Sequence, residues 1–194
     1  MKPELEKILV EKYPTLLKEY GGDPMQTCMA WGIECGDGWF KIIDHLFSYL
    51  TNLMETPLNI PYTEEYRAKH KADKDYYEKH YNYKFMPPKI VLSQIKEKWG
   101  TLTVYYNVIL EEDIPEDIWV TLNLEEYYKR YKKYTDKIDF AIDYAEHLSS
   151  ITCEITGKDG KRYTRGWYQT LCDEEAIKRG HKPEDATPLR WEEM

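Results

Sequence analysis

Residues 90–107 constrain the fold more than any other stretch. After Gly100, Leu102, Val104 and Tyr106 alternate with Thr101, Thr103 and Tyr105, the period of two that marks a strand with one buried face. Gly100 supplies the permissive backbone that a tight turn needs, so the stretch reads as a β-hairpin in an otherwise helix-leaning chain. The arm before the turn, Lys96-Glu-Lys-Trp-Gly100, is too charged to be wholly buried.

Around that hairpin the apolar spacing is helical. Trp39, Ile42, Ile43, Leu46, Leu50 and Leu53 keep to one arc of a 3.6-residue period, predicting a helix over 39–54 with Asp37 as its N-cap. A second helix is expected over 123–149, with Leu124, Tyr127, Tyr131, Ile138, Ala141, Ile142 and Ala145 on one side and a row of Lys and Arg on the other. Residues 3–20 read as a helix broken at Pro14. Segments 151–155 and 161–164 are expected to pair as short strands around Gly157-Lys-Asp-Gly160, followed by a short helix near 173–179. The fold class is therefore α+β: a small antiparallel sheet carrying the central hairpin, covered by two main helices. A single domain spans 1–180, with a helical insertion at 59–88 whose Tyr66, His70, Asp73, Tyr77 and Tyr81 share a face. The polar tail 181–194 is expected to dock, if anywhere, through Leu189 and Trp191.

A chain of 194 residues buries enough surface to build its own core. With 27 Lys and Arg against 35 Asp and Glu, the net charge of −8 argues against broad attraction to a nucleic-acid backbone. No apolar run is long enough for a membrane span and the N-terminal residues lack a signal-peptide core, so a cytoplasmic protein is expected. Cys28, Cys35, Cys153 and Cys172 are accordingly read as reduced thiols.

Three separated pieces carry a resemblance: Glu34-Cys-Gly-Asp-Gly-Trp-Phe40, Gln94-Ile-Lys-Glu-Lys-Trp-Gly-Thr-Leu102, and Thr152-Cys-Glu154 with Gly166-Trp167 and Thr170-Leu-Cys172. In this order they resemble a family of small uncharacterised proteins of tailed phages and prophages. The resemblance implies a zinc ribbon in the last piece, closed by two pairs of ligands. This sequence departs from that pattern, because Thr156 and Glu175 stand where second ligands belong. A degenerate ribbon without structural zinc is expected, held by packing of Tyr163, Trp167 and Leu171.

The sequence contains no nucleophile elbow, phosphate loop, dinucleotide fingerprint or His-Glu-x-x-His, so no catalytic residue, metal or cofactor is assigned. What it offers instead is aromatic rings beside cations at turns: Lys96, Lys98, Trp99 and Tyr105 on the hairpin, Arg162, Arg165 and Trp167 on the ribbon, and Trp39 opening the first long helix. Rings that stack on a base and cations that meet a phosphate suit a nucleotide-like ligand. With the resemblance, this suggests a non-catalytic phage accessory protein that sequesters a small nucleotide-derived compound, such as a host immune signal, in the bacterial host cytoplasm. Two other readings stand beside it: an acidic inhibitor presenting the carboxylates of 111–126 and 173–193 to a basic host protein, and a degenerate ribbon that binds nucleic acid.

Overall fold

The computed structural model describes residues 1–58, 85–109 and 123–187, with isolated positions 65 and 68. The face assigned to Tyr66, His70, Asp73, Tyr77 and Tyr81, the acidic stretch 111–122, and Leu189 and Trp191 lie outside the described residues.

The elements follow in the order α1 (Pro3–Lys12), β1 (Ile33–Glu34), α2 (Phe40–Glu55), β2 (Lys89–Lys98), β3 (Thr101–Ile109), α3 (Leu124–Ser150), β4 (Lys161–Tyr163), β5 (Gln169–Leu171) and α4 (Asp173–Lys178). The fold is α+β. Strands β2 and β3 form the expected antiparallel hairpin, with Lys98 opposite Thr101 and a two-residue loop of Trp99 and Gly100. Both loop residues have positive φ, 55° and 83°, the signature of a type I′ turn whose twist matches that of the strands it joins. Short β1 adds in parallel to β2, placing Ile33 beside Ile95 in the order β1-β2-β3.

One face of this sheet is buried. Ile90, Leu92, Ile95, Leu102 and Val104 pack with Ile43, Leu46, Phe47, Leu50 and Met54 of α2 and with Tyr134, Ile138 and Ala145 of α3. Both helices thus bury apolar stripes with the predicted period. On α3 the buried stripe is centred on Tyr134, whose hydroxyl donates to the Pro88 carbonyl at 2.7 Å, while Leu124 at the helix start is exposed. Past α1 the chain continues as turns through Pro14, where the Leu16 carbonyl accepts from the Leu92 amide.

Residues 151–187 form a second, smaller body with its own core of Cys153, Tyr163, Leu171, Cys172 and Ala176. Here the strand pairing differs from expectation. β4 pairs with β5, around Arg165-Gly-Trp167, and not with 151–155. Residues 152–159 instead close on themselves: Thr152 bridges Asp159, and the Cys153 amide donates to the Lys158 carbonyl at 2.7 Å. A tight turn around the Cys153 sulfur takes up the residues that would have extended a strand. Trp167 is 74 % exposed, so Tyr163 and Leu171 hold this body without it.

The segment 36–39 joins the two bodies. Gly38 N donates to the Glu154 carbonyl at 2.7 Å, Gly36 N to the Glu154 carboxylate at 2.9 Å, and Trp39 Nε1 to the Thr152 carbonyl at 2.8 Å. The glycines are required by distance. A Cβ at 38 would collide with the Cys153 carbonyl oxygen and lie 2.5 Å from the Gly157 nitrogen; one at 36 would collide with the Glu154 carbonyl oxygen. Asp37 does not cap α2. It is turned back to the start of α1, accepting from the Lys2 amide at 2.8 Å and pairing with Lys2 Nζ at 2.9 Å, because the chain enters α2 through a 3-10 turn over Asp37–Trp39. That salt bridge and hydrogen bond hold the Asp37 carboxyl below the usual carboxylate range. Gly38→Ala is expected to cost about 3 kcal/mol, as backbone must shift to admit one methyl group. The check is chemical denaturation, with Gly166→Ala, whose Cβ would meet nothing within 4 Å, as the control for backbone strain alone.

Candidate functional site

The ribbon body is set against the tip of the hairpin by a further set of bonds. Thr170 Oγ1 donates to the Gly100 carbonyl at 2.6 Å in a buried contact, and the Glu154 amide donates to the Thr170 carbonyl at 2.9 Å. Glu97 accepts from the Gly100 amide at 2.6 Å and from Trp167 Nε1 at 3.3 Å. On the other side of the tip, Ser149 Oγ accepts from the Leu102 amide at 2.7 Å and fixes the end of α3 against β3.

Between these walls lies a half-open cavity of about 1100 Å³. The hairpin and α3 contribute Lys98, Trp99, Thr101, Thr103 and Glu146; the ribbon contributes Arg162, Thr164, Gly166, Trp167, Tyr168 and Thr187. Its size is that of a small-molecule site, and its lining sets three rings, Trp99, Trp167 and Tyr168, among mostly polar and charged side chains. Trp99 and Trp167 expose 66 % and 74 % of their surface here, unusual for the largest apolar side chain. Trp99 is also held at positive φ, where a bulky residue is strained. Lys98 Nζ lies 5.1 Å from the Trp99 ring centroid, and the Arg162 guanidinium carbon 5.4 Å from that of Tyr168.

Of the eight predicted ligand-binding residues, Lys98, Trp99, Arg162 and Trp167 line this cavity. Lys96 and Tyr105 lie further along the same hairpin, with Lys96 Nζ 5.6 Å from the Tyr105 centroid, and Arg165 is exposed at the β4–β5 turn; none of the three lines the cavity. Trp39 is fully buried in the joint between the bodies, and its position in the core separates it from the cavity. Sequence reasoning passed over Tyr168, Glu146 and the threonines. Tyr168 adjoins Trp167, and Thr101 and Thr103 carry the strand alternation, so these were within reach. Glu146 has no local signal, since it is one of many charges on α3.

Two thiols, Cys153 and Cys172, sit in the core of the small body. Burial opposes ionisation of Cys153, yet the Thr156 hydroxyl and the backbone amides of Cys172, Thr156 and Ile155 together hold its thiol below the usual range. Thr156 Oγ1 donates to Cys172 Sγ at 3.6 Å. Glu175 is engaged elsewhere, with Lys178 at 2.6 Å and Arg179 at 3.0 Å. Among the described residues no group of three or more His, Cys, Asp or Glu is placed to hold a metal ion. Two thiols and a hydroxyl leave a tetrahedral zinc site short of donors among the described residues. Elemental analysis of protein purified from zinc-supplemented medium should find well under one zinc per chain; one equivalent, lost on Cys153→Ser, would contradict this donor set.

A scan of protein-family models gave no match, and neither the curated proteins nor the solved structures contain a match to this chain. Among the described residues no helix is long and apolar enough to cross a membrane.

The joint below the cavity carries a titratable group. Burial pushes the Glu154 carboxyl above its ordinary value, reinforced by the nearby Glu97 charge, and the Gly36 amide only partly offsets this. A carboxyl raised on folding makes the folded state lose stability as pH rises from the ordinary carboxylate value through the raised one, and regain it as pH falls. Glu154→Gln keeps an acceptor for Gly36 and removes the charge. The variant's unfolding midpoint should therefore rise relative to the parent's as pH is taken from 4 to 7, measured by thermal unfolding in matched buffers; a constant difference would show that the charge is not felt.

Proposed function

We propose that this chain is a non-catalytic binding protein whose cavity encloses a small nucleotide-derived ligand, which it holds without transforming. One observation carries the reading: Trp99 with Lys98, and Trp167 with Arg162, come from segments more than sixty residues apart and line a single cavity, with both indoles exposed. An exposed indole costs solvation and, at Trp99, backbone strain, so a protein that keeps both at one cleft is equipped to cover them with a flat guest. Stacking on such rings contributes about 1–3 kcal/mol per base. The guanidinium and ammonium supply the complement for phosphate.

The resemblance to phage and prophage proteins gives this binding a use. A phage-type protein that captures a nucleotide signal in the cytoplasm of its bacterial host would withdraw that signal from a defence system. Sequestration by mass action needs tight binding and no turnover.

The experiment is a thermal-shift survey across mononucleotides, cyclic dinucleotides and ADP-ribose derivatives. A ligand at 100 times its dissociation constant should add about 2.7 kcal/mol, a rise of roughly 5–10 °C for a chain of this size. Trp99→Gly relieves the positive φ, so it should leave the unliganded midpoint unchanged or higher while abolishing the ligand-induced rise. The reading fails if no compound in the survey shifts the parent protein, or if mass spectrometry finds the bound compound converted to product.

A further inference from the structure

We propose that the guest is a guanine nucleotide, its base read by Glu146 and its phosphate held by Arg162. This rests on the ligand-binding reading above and assigns the two ends of the ligand to two walls of the cavity.

Arg162 is the cation of the ribbon wall. Its Nε is shut off from solvent and has no hydrogen-bond partner among the described residues, so the outward-facing end of the guanidinium is what a ligand can meet. Its guanidinium lies over the Tyr168 ring, 5.4 Å from the centroid, and no ion pair to it is found among the described residues. A planar cation with donors to spare, at the edge of a cavity, is matched by a phosphate, which can accept from the fork at two oxygens.

Glu146 points to a donor. Its exposed carboxylate lines the same cavity from the α3 side, and among the described residues its hydrogen bond comes from Thr101 Oγ1 at 3.3 Å. That hydroxyl has a closer acceptor in the Lys98 carbonyl at 3.0 Å, so the carboxylate is left with free acceptor capacity. Among the described residues no cation is paired with it. In a cavity whose other charges are Lys98 and Arg162, a lone carboxylate would repel phosphate. It therefore suits the part of the ligand that carries donors. Guanine presents two adjacent donors on one edge, N1–H and the N2 amine, which a carboxylate accepts side by side. Adenine presents an acceptor, N1, at the corresponding place and would meet the carboxylate with repulsion. The rings of Trp99 and Trp167 stack on either purine and do not discriminate. Selection between the two falls to Glu146.

The test is titration calorimetry of the intact protein with GMP, AMP and guanosine. The parent should bind GMP roughly ten- to hundredfold more tightly than AMP, the range expected of one bidentate base contact. Glu146→Ala should erase that preference by weakening GMP while leaving AMP unchanged or tighter. Arg162→Met should weaken both nucleotides and leave guanosine, which lacks the phosphate, as it was. AMP binding equal to or tighter than GMP in the parent would overturn the guanine assignment and leave the ligand-binding reading standing. Binding of neither nucleotide would overturn this assignment, and silence across the wider survey would take the ligand-binding reading with it. The GMP to AMP comparison uses the unaltered chain, so it does not depend on either variant folding.

Discussion

Everything distinctive about this molecule depends on two backbones meeting with nothing between them. At Gly36 and Gly38 the chain runs so close to residues 152–157 that the missing Cβ atoms are the condition of contact. Three hydrogen bonds, from Gly36 N, Gly38 N and Trp39 Nε1, then cross from one body to the other. With the Trp39 ring buried beside them the bonds are partly shielded from water, and leaving a partner unsatisfied there is costly. The joint is thus both close and geometrically exacting, and it fixes how the ribbon body faces the hairpin.

That placement creates the cavity. The hairpin tip alone is an exposed turn with a strained tryptophan, and the β4–β5 turn alone is an exposed loop with another. Docked through Thr170 on Gly100 and Trp167 on Glu97, the two turns become facing walls. Within the small body the chain turns tightly over residues 152–159. The Thr156 hydroxyl and three backbone amides surround the Cys153 sulfur, and a small core of Tyr163, Leu171 and Ala176 packs beside it. The joint to the main body shares the work of holding this segment in place.

Much of the fold was legible in the chain. The hairpin announced itself through the alternation that follows Gly100, and α2 and α3 through apolar residues at helical spacing. These are local properties, set by the geometry of a strand or helix with one face in water and one in the core. The pairing of the ribbon was not legible. Residues 151–155 and 161–164 are equally strand-like, and only the turn that closes around Cys153 removes the first from competition and leaves β4 to β5. Asp37 shows the same limit: its position before a helix suggests a cap, but Lys2, thirty-five residues earlier, arrives to claim it.

For the site, local sequence gives the kinds of side chain on offer, indoles beside cations at two turns. Tertiary structure decided which of them meet. It took Trp39 into the core, left Lys96, Tyr105 and Arg165 outside the cavity, and brought in Tyr168 and Glu146. The physical reason is that a residue's type and local period fix which face it occupies, whereas the identity of what lies across from that face depends on long-range docking. Here that docking is controlled by two glycines whose importance lies in the atoms they lack.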